Sequence, residues 1–138
     1  MHWNEIVGQN AIKKMLQDSV KEGRISHAQL FVGKEGYGGL PLVLAYVKEI
    51  LAKENSSAGH KVENLNHIDL HFSFPSYTEG GKALSKNFLQ EWRNMILENP
   101  YSSDDDWIMR LDSEKKQMII SVHEVEEIID KFKLKSFE

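Results

Sequence analysis

The chain has 138 residues, 41% hydrophobic and 28% charged, which suits one globular domain or a piece of one and excludes a disordered tail. Its 21 acidic and 17 basic residues are interspersed and sum to −4, so no basic field marks the whole chain as a nucleic-acid binder. The lack of cysteine excludes disulfides, thiolate zinc sites and a cysteine nucleophile; with no signal-like start and no run near the ~20 apolar residues of a membrane span, the expectation is a soluble cytoplasmic protein with no membrane partner.

From Gln9 to Lys21, Ile12, Leu16 and Val20 recur every four positions with Met15 beside them, which predicts an amphipathic helix stopped near Gly23. Ala28-Gln29-Leu30-Phe31-Val32 then reads as a buried core strand running into a glycine-rich turn. Leu40 to Ala52 carries Val43, Leu44, Val47, Ile50 and Leu51 at helical spacing. Pro41 is tolerated near its start because first-turn amides lack intrahelical partners.

The polar segment Lys53 to Asn66 reads as a loop. Its Asn55-Ser56-Ser57 matches the glycosylation sequon but lacks a secretory context. His67 to Pro75 alternates with period two and predicts a half-buried strand. Phe88, Leu89, Trp92, Met95 and Ile96 form one stripe of a helix within Leu84 to Leu97, ended by Asn99-Pro100, and a short helix follows from Asp104 to Leu111. After a short extended run, Gln117 to Ile120, the sequence Ser121-Val122-His123-Glu124 predicts a capping box opening a last helix, with Val125, Ile128, Ile129 and Phe132 inward.

The loop Gly33-Lys34-Glu35-Gly36-Tyr37-Gly38-Gly39-Leu40 has the glycine spacing of a phosphate-binding loop, set between strand and helix. Such loops hold phosphates through loop amides and the helix N-terminus, while a lysine reaches the outer phosphates and a hydroxyl ligates magnesium. Here Gly39 takes the lysine position and Leu40 the hydroxyl position, so charge and metal ligand are both absent. Lys34 lies on the strand side of the turn and is not expected to substitute. On these residues alone, the loop is either a disabled phosphate cradle or a plain strand-to-helix turn.

Trp3-Asn4-Glu5-Ile6-Val7-Gly8-Gln9 resembles the opening signature of AAA+ clamp-loader subunits, and Ser26-His27-Ala28-Gln29-Leu30-Phe31-Val32-Gly33 is similar to their strand before the phosphate loop. His67-Ile68-Asp69-Leu70 resembles their His-Pro-Asp strand, with Ile68 in place of proline; Ile120-Ser121-Val122-His123-Glu124-Val125 resembles the start of the next helix. Within this family the gamma/tau motors keep the loop lysine, whereas delta-prime subunits of bacterial DNA polymerase III often lack it, so Gly39 and Leu40 favour the delta-prime branch.

The resemblance implies an α/β, three-layer P-loop NTPase-like domain with a parallel sheet, and a helical insertion from Leu84 to Leu111. It places Val7 and Gly8 beside an adenine pocket and implies a noncatalytic subunit working with gamma/tau and delta subunits, a sliding clamp and primer-template DNA. No cofactor is expected beyond weak ATP or ADP binding at the loop. Zinc is not expected either, because the Lys53 to Asn66 segment lacks the cysteines that many relatives carry there. The chain stops at Lys135-Ser136-Phe137-Glu138, where the family proceeds to its Walker B strand, lid and collar. The expectation is an N-terminal fragment whose strands lack neighbours and which self-associates. The rival readings are an active gamma/tau-like ATPase using an unrecognised lysine, and a stand-alone interaction module.

Three other groups have simpler readings. His67, Asp69 and His71 share a predicted strand face and suit a divalent metal, but a solvated face is the plainer account. Asp104-Asp105-Asp106 reads as helix-starting acids favoured by the dipole, not as a magnesium site. Trp92, Trp107, Phe88 and Tyr101 read as core or interface, not as nucleic-acid stacking residues. No catalytic residue is assigned.

Overall fold

A computed structural model describes residues 1–53 and 55–134; the closing Lys135-Ser136-Phe137-Glu138 lies outside the described residues. The chain divides into two units, Met1–His67 and the stretch from Ile68 onward.

In the first unit, α1 (Asn10–Lys21) packs on α2 (Gly39–Ala52), and α2 packs on α3 (Ala58–Glu63). The core joins Ile6, Leu16 and Val20 to Leu42, Ala45 and Tyr46, with Met1, Trp3 and Ile50 at its margin. The predicted face of α1 is half right: Leu16 and Val20 are buried, whereas Ile12 and Met15 are exposed. Lys53 Nζ donates to Val20 O at 2.8 Å and Trp3 Nε1 to Glu49 Oε2 at 2.6 Å, tying the ends of the helices together.

The Lys53 to Asn66 loop is corrected by α3. Ala58, Gly59 and Val62 are buried on it, and Leu65 follows them into the core. A Cβ on Gly59 would sit 3.4 Å from Lys48 Cε and 4.0 Å from Ala52 Cβ, which places this residue directly against α2. Lys48 and His2 both engage Glu63, the imidazole at 3.0 Å through Nε2, and His60 Nδ1 approaches the other carboxylate oxygen at 3.3 Å. The Lys48 hydrogen bond is the main reason that the Glu63 carboxyl titrates below its usual range.

The parallel sheet is also corrected: the described residues contain no strand, only the isolated bridges Ser76↔Ile119 and Glu79↔Lys82. Ala28 lies in a bend and Gln29 to Val32 belong to no helix or strand, with Leu30 88% and Val32 87% exposed. Phe31 turns back, its ring 6.2 Å from Tyr46, and Gln29 Nε2 donates to Tyr46 Oη at 3.0 Å. An extended apolar run supplies the backbone and alternation of a strand, but a strand exists only where a second segment takes up its N–H and C=O groups.

In the second unit, a 3-10 turn (Ser85–Phe88) leads into α4 (Leu89–Glu98), followed by α5 (Asp104–Arg110) and α6 (Val122–Phe132). Ser103 caps α5 reciprocally: its Oγ accepts from Asp106 N at 3.1 Å, and its own N–H donates to Asp106 Oδ2 at 2.8 Å. The aromatic residues make a core. Phe74 stacks on Trp92 at 5.1 Å with 2° between the rings, and meets Trp107 edge-on at 5.1 Å and 81°. Phe88 is buried against Tyr77, Tyr101 is half-buried, and Trp107 Nε1 donates to Pro75 O at 2.8 Å.

This core explains why His67 to Pro75 alternates without being a strand. Phe72 and Phe74 both reach Trp92, so their period-two spacing serves a helix and not a sheet. The backbone of Phe74 is satisfied by one side chain: Ser85 Oγ accepts from Phe74 N at 2.9 Å and donates to Phe74 O at 3.0 Å.

The last helix has the predicted period but the wrong face inward. Val125, Ile129 and Phe132 are exposed, Ile128 is half-buried, and Glu124 is only 4% exposed. Ser121 Oγ accepts from Glu124 N at 3.2 Å, as a cap should. The Glu124 carboxylate reaches elsewhere, accepting from Ser85 N at 2.7 Å and from Ser73 Oγ at 2.8 Å. Those donors hold the helix through its acid, so the apolar stripe is left outside.

Candidate functional site

The glycine loop begins at Gly33 and turns at Glu35-Gly36, where Tyr37 N donates to Lys34 O at 3.3 Å. Gly36 (φ 76°) and Gly38 (φ 90°, ψ 22°) are left-handed, a conformation with little cost only for glycine. Gly38 caps α2, and Leu42 N donates to Gly38 O at 3.0 Å as the first helical bond. Gly33 and Gly39 are not left-handed, and an added Cβ at either meets nothing within 4 Å. Two of the loop's glycines are therefore demanded by backbone geometry alone.

The structure brings the predicted adenine-side segment to this loop. Gly8 (φ 65°) and Gln9 (φ 59°) are both left-handed and start α1, and Gln9 Nε2 donates to Tyr37 O at 3.4 Å. Val7, Lys34, Glu35, Tyr37 and Gly39 are exposed, Gly38 is buried, and Leu40 is half-buried. The head of α2 carries no lysine, arginine or hydroxyl in Gly39-Leu40-Pro41-Leu42. Its chemistry is that of a few backbone donors without a cation or a magnesium ligand, so the residues do not fit a nucleoside triphosphate with its metal.

Pro41, the third residue of α2, went unrecognised as part of the site; its ring is fully buried. A proline in the first helical turn is visible in the sequence, and its missing N–H is the signal that identifies it.

The other candidate groups are not brought together. His67 is buried, against the solvated position predicted for it, whereas Asp69 is half-buried and His71 exposed. Burial foremost, and then Lys131, lower the pKa of His71, with Asp69 opposing. Among the described residues no group of His, Cys, Asp or Glu is arranged to hold a metal ion. Asp104, Asp105 and Asp106 form the first turn of α5, with Asp106 spent on its cap. No described helix is long and apolar enough to cross a membrane.

The family described as "DNA polymerase III, delta subunit" matches residues 8–138 of this chain. The "DNA polymerase III subunit delta'" of Bacillus subtilis (strain 168) is 31% identical over 98 residues, covering 66% of this chain and 30% of that protein. The chain therefore spans less than a third of that relative's length in the match. No solved structure matches.

Proposed function

The chain belongs to the DNA polymerase III delta subunit family, and from that premise we propose that the protein is a noncatalytic, stator-like subunit of an AAA+ clamp-loader complex. In this reading it works with gamma/tau and delta subunits to place a sliding clamp on primer-template DNA during replication. The residues described here form the N-terminal part of its nucleotide-binding module, with the helical segment Leu84 to Leu111 as an insertion.

The observation that carries the noncatalytic reading is the pairing of Gly39 and Leu40 at the head of α2. An outer phosphate brings charge that only a cation can neutralise, and neither residue supplies one. The glycine frame then serves as a turn that delivers α2 to its core. The missing hydroxyl also argues against a magnesium-dependent step on this chain's own residues, and the lack of cysteine argues against thiolate-bound zinc.

The test uses the purified full protein alone and in a reconstituted complex with gamma/tau and delta subunits. Alone it should neither bind magnesium-ATP saturably nor cleave it; in the complex, clamp loading should depend on its presence. ATP cleavage by the isolated protein, abolished by Lys34→Ala, would establish the active-ATPase reading instead. Clamp loading that is indifferent to the protein would mark it as an interaction module outside replication.

A further inference from the structure

We infer that Pro41 is a second and independent block on nucleotide binding, so that restoring a lysine and a hydroxyl to the loop does not by itself restore the cradle. The inference rests on the reading of the loop as a retired phosphate site.

An α-helix leaves its first four N–H groups without intrahelical partners, and an anion at the helix head draws on them. For α2 those positions are Gly38, Gly39, Leu40 and Pro41, since Leu42 N already donates to Gly38 O at 3.0 Å. Proline has no N–H, so the set is short by one donor. The loop does not compensate on its other side, because Tyr37 N is turned inward to Lys34 O at 3.3 Å.

The lesions at 39 and 41 differ in kind. At Gly39 an added Cβ meets nothing within 4 Å and the backbone is not left-handed, so a lysine fits without strain. Pro41, by contrast, is embedded: its ring is fully buried, and its fixed φ suits the first helical turn. The residue that removes the donor is thus also part of the core that seats α2. A cationic side chain returned to position 39 would face a helix head that still lacks an amide.

The experiment compares four forms of the full chain: wild type, Pro41→Ala, Gly39→Lys/Leu40→Thr, and the triple variant Gly39→Lys/Leu40→Thr/Pro41→Ala. Magnesium-ATP is titrated, with amide shifts at positions 38 to 40, present in all four forms, as the readout and far-UV circular dichroism confirming that α2 is retained. A charge-assisted hydrogen bond regained should tighten binding by about one to two orders of magnitude in the triple over the double variant. Pro41→Val, closer to proline in volume and equally endowed with an amide, should give the same gain and serves where alanine unfolds the chain. Double and triple variants that behave alike, whether both bind or neither does, would overturn the inference. Saturable binding by wild type would sink the noncatalytic reading instead and is scored separately.

Discussion

Substitution of Glu124 probes the most unexpected feature of the second unit, a nearly buried carboxylate with no cation among its hydrogen-bond partners. Its two oxygens accept from Ser85 N at 2.7 Å and Ser73 Oγ at 2.8 Å. Glu124→Ala removes both bonds and strands the buried Ser85 N–H. Bonds to a charged group contribute about 1.5–3 kcal/mol each, and an unsatisfied buried donor costs about 1–3 kcal/mol, while relief from charge burial offsets part of the sum. The expected loss is roughly 2–4 kcal/mol, or about 4–8 °C in midpoint for each kcal/mol in a unit of this size. Glu124→Gln should cost under about 1 kcal/mol, because its carbonyl still accepts from Ser85 N–H and the Ser73 hydroxyl rotates to accept from its NH2. Urea unfolding followed by near-UV circular dichroism measures the difference, with exposed Glu126→Ala as control. Hydrogen exchange at Ser85 N–H should accelerate in the alanine variant and remain slow in the glutamine variant. Alanine at 124 behaving like alanine at 126, or glutamine as damaging as alanine, would refute the argument.

Ser85→Ala should destabilise the second unit by about 1–3 kcal/mol, since one hydroxyl satisfies both backbone groups of Phe74, and the same urea titration reads it. Trp107→Phe should cost about 1 kcal/mol beyond any change in packing, through loss of the Nε1 bond to Pro75 O, and should leave the α5 cap intact by amide shifts. Because Lys48 lowers the Glu63 carboxyl, its contribution is present above the unfolded carboxylate pKa and lost as pH falls through the lowered value. Amide protection in α3, taken relative to the intrinsic exchange rate at each pH, should therefore fall in acid, and Glu63→Gln should remove that pH dependence. The exposed Leu30 and Val32 should make the chain associate at high concentration, and Leu30→Lys/Val32→Lys should hold it monomeric in sedimentation velocity.

The helices of this chain were legible where apolar residues repeat over several turns, as at Leu16 and Val20 or along Phe88, Trp92, Met95 and Ile96. The helix α3 was not, because six residues with Ala58 and Val62 buried are too few to set a period against a polar background. Both expected strands rested on patterns that are present: Leu30 and Val32 are exposed on either side of Phe31, which meets Tyr46, and Phe72 and Phe74 both reach Trp92. What local sequence does not carry is whether a neighbour exists to complete a ladder, and here Ser85 and the rings of Trp92 and Trp107 take that place. The error on α6 has a similar origin, since periodicity marks which residues share a face and not which face finds partners. Two good donors drew Glu124 in and turned the apolar stripe out.

At the glycine loop, spacing identified the turn, but the missing donor at Pro41 emerged only when α2 was seen to begin at Gly39. The left-handed backbones at Gly36 and Gly38 require glycine whether or not any phosphate is present, and Gly38 must cap α2 in either case. A loop with this spacing can therefore keep its shape without that chemistry, because Leu42 and Ala45 of the helix it leads into are packed in the core. Gly33, Gly39 and Leu40 are free of that demand, and at 39 and 40 there is neither lysine nor hydroxyl. On the proposed noncatalytic reading, Gly36 and Gly38 answer to the backbone of the turn, and positions 39 and 40 are the ones that nucleotide binding alone would constrain.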